Sequence, residues 1–496
     1  MLFLKIFKIE RIIFLFELIK SNFIFLFISI TWLSLLFSIN THPTDVNKIF
    51  NNPMNFINAL RFIFAILMSL ISIVLLIYFL ITQKINKFSN LSILFILYFI
   101  FQVIGLINNE LREFNIDNTY LIIFSLGAIS SLIILFNEKN NEYINFIFLI
   151  SVVLLTLVFL IIFFSLNNFF ETAINQGSLY YLYHPHFTFM DQSLPRVTGA
   201  TRSFAITALA LLLIFFIPKK YKIINITIFF FFIIYSIIIW IGQSRGSLLC
   251  YYLTSLVLIL FLNNLSITKK LSLYLSITIL SIFLSDLFIK LYNSKVTKFS
   301  DDNIEIQSTD KDKVERNAYK FSDDNIEIQS TDKDKVESNA YKFSETRIIS
   351  YKGGTSGRTT LWLESYNAYD KEKIFGYGPQ GDRFILNNFN NVYSNNSSNL
   401  IVYGFLSGGY FSFLSLIILY FYILFLMIKF ISKNKILNKR YVINKKNLTY
   451  TFSLLLVIFF SIRSIFENSY GLFSIDFLFM TLSLYTLEYY NKKNNI

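Results

Sequence analysis

Residues 400–428 read LIVYGFLSGGYFSFLSLIILYFYILFLMI, a stretch of 29 residues without one charged side chain. An α-helix needs about 20 predominantly apolar residues to cross the ~30 Å hydrocarbon core of a bilayer. The stretch is long enough for that crossing, and it therefore predicts a transmembrane helix.

Eleven further apolar stretches lie elsewhere in the chain, at 22–39, 62–82, 91–108, 119–136, 144–166, 202–217, 223–241, 247–262, 271–289, 449–464 and 471–488. The composition agrees with this interpretation, because 54% of the residues are hydrophobic and only 15% are charged. A soluble domain has about 25% charged residues. The sequence predicts an all-α polytopic membrane protein with about twelve transmembrane helices, and it excludes a soluble enzyme.

The distribution of Lys and Arg predicts the orientation of these helices. With the N-terminus on the cytoplasmic side, the cytoplasmic segments hold 21 Lys and Arg residues, and the short external loops hold 7. The other 16 lie in one long external loop, 290–399, and long loops do not follow the positive-inside rule. Both termini are therefore predicted to be cytoplasmic.

The predicted organisation has four parts. Residues 1–21 are expected to form a basic interfacial segment on the cytoplasmic face, and 22–289 to form a bundle of nine spans. The long external loop 290–399 follows, with short helices in it. The last three spans and a cytoplasmic tail occupy 400–496.

Arginine is distributed differently from lysine. Outside residues 298–341, nine of the 11 Arg are external, against 7 of the 26 Lys. The positive-inside rule alone would place both residue types in the cytoplasm. Guanidinium groups bind phosphate and carboxylate bidentately, which ammonium groups do not. Some of these Arg could simply anchor helix ends, but the set as a whole predicts an external anionic ligand.

A tandem repeat accounts for part of the charge. Residues 298–319 recur as 320–341 with one change, from Arg316 to Ser338. Together the two copies carry a net charge of −5, so the rest of the chain carries +18, most of it from cytoplasmic Lys. The positive charge thus orients the protein in a membrane, and no nucleic-acid partner is predicted. Two copies of a polar 22-residue unit cannot build a stacked repeat core, so the repeat is expected to be a disordered insert.

No metal site or cofactor is predicted. The single cysteine, Cys250, excludes disulfide frameworks and cysteine-rich metal sites. Each repeat copy contains an Asp-Lys-Asp triplet, which is formally a metal-binding signature in sugar transferases. A solvated insert explains it better. The four aspartates are Asp310, Asp312, Asp332 and Asp334.

Glycine is concentrated after the repeat. Nine of the 16 Gly fall between Gly353 and Gly409, which indicates an ordered loop at 353–399 rather than a linker. Residues 358–371 have the apolar spacing of a short amphipathic helix. The following GYGPQG turn, at 376–381, is able to bring backbone N–H groups against an oxyanion.

Several motifs occur in a suggestive order. They are PRVTG at 195–199, GQSRGS at 242–247, SGRTTLW at 356–362 followed by FGYGPQ, and SNLIVYGFLSGG at 398–409. Arg463 and Glu467 follow near the end of the eleventh predicted span. In this combination the chain resembles the O-antigen ligase/O-antigen polymerase superfamily of bacterial inner-membrane proteins, over roughly residues 195–480.

The resemblance implies glycosyl transfer from an undecaprenyl-diphosphate-linked saccharide at the periplasmic face of the inner membrane, to a glycan or lipid A core acceptor. The donor carries its own leaving group, and guanidinium groups stabilise a departing diphosphate without a metal. The predicted diphosphate-binding residues are Arg196, Arg202, Arg245, Arg358 and Arg463.

The catalytic base is left open by the sequence. Glu467 lies four residues after Arg463 and can pair with it on one helix face. His184 and His186 are candidates because of their ordinary pKa range. Asn396 is a candidate for orienting the acceptor.

Two carboxylates, Asp286 and Asp476, fall within predicted spans. A carboxylate inside a membrane is costly, so each is expected to be paired or functional.

Two alternatives accompany the polymerase-like interpretation. Ligases of this superfamily carry a His-Asn pair before the helix that begins near 400, whereas residues 393–399 contain no histidine. A ligase that transfers glycan to lipid A core is therefore the first alternative. A transporter or flippase of lipid-linked sugars is the second, and the scarcity of charges and of Gly or Pro breaks inside most spans argues against it.

Overall fold

The structure is a computed structural model that describes residues 53–82, 88–109, 116–135, 187–189, 192–194, 198–217, 222–241, 245–261, 266–304, 358–369, 374–387, 397, 399–434, 447–467 and 475–493. The predicted segment 1–21, the spans 22–39 and 144–166, and residues 305–341 of the repeat lie outside the described residues.

Ten of the twelve predicted spans coincide with helices. These are α1 Pro53–Ile81, α2 Asn90–Ile107, α3 Ile116–Leu135, α4 Thr198–Phe215, α5 Lys222–Ile241, α6 Arg245–Leu260, α7 Ile267–Ile304, α10 Leu400–Lys433, α11 Leu448–Arg463 and α12 Ile475–Lys493. Two short helices lie between α7 and α10, namely α8 Arg358–Asn367 and α9 Gly381–Asn387.

By length and composition, three helical stretches of the described residues suffice to cross a membrane: Asn90–Ile107, Ile267–Leu284 and Leu400–Lys433. Six shorter helical stretches are also apolar. The chain is a predominantly helical protein with candidate membrane spans, as the sequence predicts.

One small β-hairpin departs from the all-α expectation. Its strands, β1 Phe187–Phe189 and β2 Gln192–Leu194, pair antiparallel with Thr188 opposite Ser193.

Helix α7 extends further than predicted. The span 271–289 was expected to end before an external loop at 290, but the helix continues to Ile304, inside the first repeat copy. The segment contains neither Gly nor Pro, the residues that usually end a helix. The disordered-insert prediction is therefore corrected for residues 298–304.

Helices α11 and α12 form the centre of the bundle. Every side chain from Thr451 to Phe460 is buried, and so is every described side chain from Asp476 to Glu488. Helices α4 and α6 pack against α11, and α2 and α10 pack against α12. A helix that is apolar all round belongs in the interior of a bundle. The outer helices α1, α5, α7 and α10 expose large apolar side chains instead.

Helix α10 reverses direction at Gly409. This residue has φ 62° and ψ −157°, a conformation outside the helical region that is essentially restricted to glycine. The halves 400–408 and 410–433 lie side by side, since a Cβ on Gly404 would be 3.0 Å from Leu416 Cδ2. In a straight helix these two residues would be about 18 Å apart.

Contacts with Ser464, the residue that follows α11, confirm the reversal. The Leu400 amide donates to the Ser464 carbonyl oxygen at 3.0 Å, and the Tyr420 and Ser464 hydroxyls are hydrogen-bonded. Along a straight helix, Leu400 and Tyr420 would be about 30 Å apart. The prediction of one continuous span over 400–428 is therefore corrected to a helical hairpin. Its second half, 410–433, extends about 36 Å and is long enough to cross a bilayer by itself.

Candidate functional site

A buried ion-pair cluster joins four helices at one end of the bundle. Asp476 Oδ2 accepts hydrogen bonds from Arg202 Nη1 at 2.8 Å and from Arg463 Nε at 3.0 Å. Arg463 Nη1 also donates to Ser247 Oγ at 3.3 Å. We call these four residues the arginine–aspartate cluster. It brings together two of the arginines predicted to bind diphosphate and one of the two carboxylates predicted to be paired or functional.

Each cluster residue lies near a helix end. Arg202 is in the second turn of α4, Ser247 in the first turn of α6, and Asp476 in the first turn of α12, while Arg463 is the last residue of α11. Carboxylates are stabilised at helix N-termini and cations at helix C-termini, so Asp476 and Arg463 both match the local helix dipoles. The cluster thus sits where three helices begin and one ends.

The formal charges of the cluster nearly balance. Arg202 and Arg463 contribute two positive charges against the one negative charge of Asp476. Glu467 lies close enough to interact electrostatically with both guanidinium groups, and its amide donates to the Arg463 carbonyl oxygen at 2.9 Å. With Glu467 included, the group is neutral. Arg202 Nε is buried and has no hydrogen-bond partner among the described residues, which leaves one donor available.

The ordered part of the long loop is attached directly beside the cluster. Asn399 caps α10 through its Oδ1, which accepts from the amides of Ile401 and Val402 at 2.8 and 3.1 Å. Its Nδ2 donates to the Ile465 carbonyl oxygen at 2.9 Å. Together with the bond from Leu400 to Ser464, this contact ties the end of the loop to the residues that follow Arg463.

A second buried carboxylate organises the loop itself. Asp382 Oδ2 accepts from both the amide and the hydroxyl of Ser397, at 2.9 and 3.0 Å. Trp362 Nε1 donates to the Ser397 carbonyl oxygen at 2.8 Å. Helices α8 and α9 are thereby fixed to the residue that lies two positions before the α10 cap.

The glycine-rich turn is confirmed as a turn, but its amides are used differently from the expectation. Gly376 and Gly378 both have positive φ. The amides of Tyr377 and Gly378 donate to the carbonyl oxygens of Leu406 and Ser407 at 2.9 and 2.8 Å. These N–H groups dock the turn onto the α10 hairpin, and they are therefore not directed at an oxyanion.

The predicted short amphipathic helix over 358–371 is present as α8 but ends earlier, at Asn367. Trp362 is half-buried, Tyr369 is buried just after the helix ends, and Tyr366 is exposed.

Other predicted site residues lie at helix starts or outside the described part. Arg245 and Arg358 are the first residues of α6 and α8, and Asp286 lies in α7. His184, His186, Arg196 and Asn396 lie outside the described residues.

Several residues of the site were not singled out from the sequence. Ser247 lies inside the GQSRGS motif, so the motif already indicated that it could belong to the site. Asn399 likewise lies inside the SNLIVYGFLSGG motif, whereas Asp382 and Ser397 lie outside the quoted motifs and their roles depend on contacts that sequence spacing does not encode.

Among the described residues, no group of three or more His, Cys, Asp or Glu is placed to hold a metal ion. Comparisons of the chain with protein-family models, with curated proteins and with solved structures find no match.

Proposed function

We propose that the protein is a membrane glycosyltransferase that acts on a polyprenyl-diphosphate-linked saccharide, with an O-antigen polymerase-like activity. The observation that carries this proposal is the convergence of Arg202, Arg463 and the α6 start at Arg245 beside the end of the ordered loop. Arg245 lies in the GQSRGS motif, and Arg463 belongs to the Arg463 and Glu467 pattern of the family resemblance, whereas Arg202 lies three residues after the PRVTG motif.

The proposed topology has twelve spans with both termini in the cytoplasm. Helices α4, α6 and α12 begin at the cluster and α11 ends there, which agrees with the alternation predicted for the sixth, eighth, eleventh and twelfth spans. In this topology the cluster faces the periplasm, and the membrane is the bacterial inner membrane.

The charge balance suggests a division of roles among the arginines. Because Asp476 already neutralises part of the charge of Arg202 and Arg463, these two residues mainly position the end of the bundle. Arg245, two residues before Ser247, is the cation we assign to the leaving diphosphate. Arg196 and Arg358 complete the proposed binding set, and Glu467 is the proposed base.

The proposed acceptor is a growing glycan. The absence of histidine from 393–399 favours it over transfer to lipid A core, which is the alternative within the same reaction class.

A transporter of lipid-linked sugars is the second candidate, and one observation favours it. Discontinuous helices are typical of transporters. Most spans lack Gly and Pro breaks, but α10 is broken at Gly409. The break is filled by Tyr377 and Gly378 of the loop rather than left open at the middle of the membrane. We therefore rank the transporter second.

The test is a reconstituted reaction. The purified protein in lipid vesicles is incubated with a lipid-diphosphate-linked oligosaccharide, and products are separated by length. Chain extension supports a polymerase, and transfer to added lipid A core supports a ligase. Movement of the intact donor across the bilayer with neither product would support a transporter and contradict the enzyme.

Arg245→Lys tests the proposed diphosphate contact. The substitution keeps the charge but removes the planar, bidentate donor, so transfer should fall at least about 100-fold. Arg112→Lys, on another predicted external loop, is the matched control and should retain wild-type transfer. Equal activity of the two variants would show that Arg245 does not hold the diphosphate.

A further inference from the structure

Helix α8 exposes two large apolar side chains on its outer face. Leu363 is 61% exposed and Tyr366 is 57% exposed. The neighbouring side chains are packed, since Ser365 of α8 and Tyr369 just after it are buried and the Trp362 indole is hydrogen-bonded to Ser397. The exposed residues are therefore not turned outward by local disorder of the helix.

This outer face continues into neighbouring exposed apolar side chains. The Tyr366 ring stacks on Phe405 with centroids 6.1 Å apart. Ile374 is half-exposed, and its carbonyl oxygen accepts from the Tyr410 amide at 3.1 Å. Tyr410 is also half-exposed, and its ring lies 6.2 Å from that of Tyr369. Helix α8, the glycine-rich turn and the start of the second half of α10 thus form one surface.

The same surface runs down the membrane span. Six exposed apolar side chains of the second half of α10 recur every three or four residues, at Tyr410, Leu414, Ile418, Phe421, Phe425 and Ile428, and two more, Phe411 and Leu424, lie beside them. This is the spacing of one helix face. Because this half of α10 is long and apolar enough to cross a bilayer, its exposed stripe is the face that contacts lipid.

We propose that α8 lies in the membrane interface, with Leu363 and Tyr366 inserted into the leaflet at the Tyr410 end of the span. Burial of the Leu363 side chain in the leaflet removes its apolar surface from water, which is favourable. Tyrosine is enriched at membrane interfaces, where its ring is in the apolar layer and its hydroxyl reaches water. The occupant of this face is lipid, because the face is continuous with the lipid-contacting stripe of α10.

The proposal gives the ordered loop a membrane anchor. Trp362 and Ser397 connect α8 to the α10 cap, so insertion of α8 would hold the end of the loop at the level of the lipid headgroups. This inference requires only that α10 spans a membrane, and it does not depend on the proposed glycosyl transfer.

Spin labelling tests it directly. A nitroxide is attached to Leu363→Cys or Tyr366→Cys in a Cys250→Ala background, in the full chain reconstituted into vesicles of phosphatidylethanolamine and phosphatidylglycerol. Collision rates are measured with oxygen, which partitions into lipid, and with a polar nickel chelate, which stays in water. Leu414→Cys is the lipid-facing reference, and a free nitroxide in buffer is the aqueous reference.

We expect both α8 labels to collide with oxygen about as often as the Leu414 label does, and to be shielded from nickel. Nickel collisions as frequent as those of the free nitroxide would overturn the proposal, because α8 would then face water. Shielding from both reagents would also overturn it, because another protein surface would then cover the helix.

Discussion

A buried carboxylate lies at each end of the α11–α12 pair, and the two have different partners. At one end, Asp476 is shared by two guanidinium groups from distant helices, and the Arg463 side chain is only 7% exposed. At the other end, Glu488 accepts from the Tyr422 hydroxyl at 2.9 Å and pairs with Lys492 at 3.4 Å. Lys492 follows Glu488 by one helical turn, and its side chain is 48% exposed.

The Glu488–Lys492 pair is an ordinary ion pair near the surface, whereas the arginine–aspartate cluster buries several charges. A half-exposed Lys four residues from a Glu contributes less than about 1 kcal/mol, and it is easily replaced. Asp476 and Arg463 are buried and Arg202 is 14% exposed, so these charged groups are expensive to desolvate. Replacing such a set by apolar side chains of similar volume often leaves a protein equally stable, so stability is a weaker explanation of the cluster than of the Glu488 end.

A pair of isosteric substitutions provides the strongest test of this contrast. Asp476→Asn removes the carboxylate that is hydrogen-bonded to both guanidinium groups and leaves Glu467 as the only nearby negative charge among the described residues, so unfolding free energy should fall by about 3–5 kcal/mol. Glu488→Gln keeps an acceptor for Tyr422 and frees only a half-exposed Lys, so the loss should be about 1 kcal/mol. Denaturant titration of both variants in micelles measures the two values, and similar losses would remove the distinction.

Gly409→Ala, in the half of the molecule that holds the arginine–aspartate cluster, should cause the next largest loss of unfolding free energy. A Cβ at this position would be 1.9 Å from the Ile374 carbonyl oxygen, and the backbone conformation itself excludes side chains. We expect the free energy of unfolding to fall by about 3 kcal/mol.

Gly404→Ala is the matched control for this substitution. Its Cβ would be 3.0 Å from Leu416 Cδ2 and in ordinary contact with the Tyr98 ring at 3.5 Å, so only the flexible end of Leu416 has to move and stability should change by less than about 1 kcal/mol. Equal losses for the two glycines would show that the reversal at Gly409 is not required.

Asn399→Ala should have an intermediate effect. It removes the α10 cap and the hydrogen bond to Ile465, and loss of an N-cap costs about 0.5–2 kcal/mol. Because Asn399 joins the loop to the residue after Ser464, proteolysis of the loop should accelerate more than proteolysis elsewhere. Asn399→Asp keeps the capping acceptor and should recover most of the cap but not the bond to Ile465, since a carboxylate has no N–H to donate.

Lys492→Met should have the smallest effect, below about 1 kcal/mol. The apolar part of the side chain is preserved, and Glu488 keeps its bond to Tyr422. A loss of unfolding free energy comparable to that of Asp476→Asn would contradict the interpretation of Glu488–Lys492 as an ordinary ion pair.

Much of the helical framework follows from hydropathy, because apolar runs of nearly 20 residues have few other stable forms. Arg202, Arg463 and Asp476 also stood out in the sequence, since charges near apolar runs are costly. Their pairing did not, because the partners Arg202 and Asp476 are 274 residues apart and no local rule joins them.

The reversal in α10 is only weakly indicated by the sequence. Gly408 and Gly409 are adjacent, but small residues also occur in unbroken membrane helices, where they let neighbouring helices approach closely. What distinguishes this site is the docking of Tyr377 and Gly378 onto the carbonyl oxygens of Leu406 and Ser407. That contact depends on a turn about 30 residues earlier, and hydropathy carries no information about it.

The α10 hairpin also has a consequence for how the protein is assembled during synthesis. As one straight helix, its 34 residues would extend about 51 Å, roughly 20 Å more than the hydrocarbon core. Membrane insertion depends on the length of an apolar stretch, so residues 400–433 would be treated as one span that is longer than the bilayer requires. Residues 374–378 are synthesised earlier, and their contacts with residues 406–410 form only when the hairpin is complete. In the proposed topology, the fold-back therefore couples membrane insertion of α10 to docking of the glycine-rich turn.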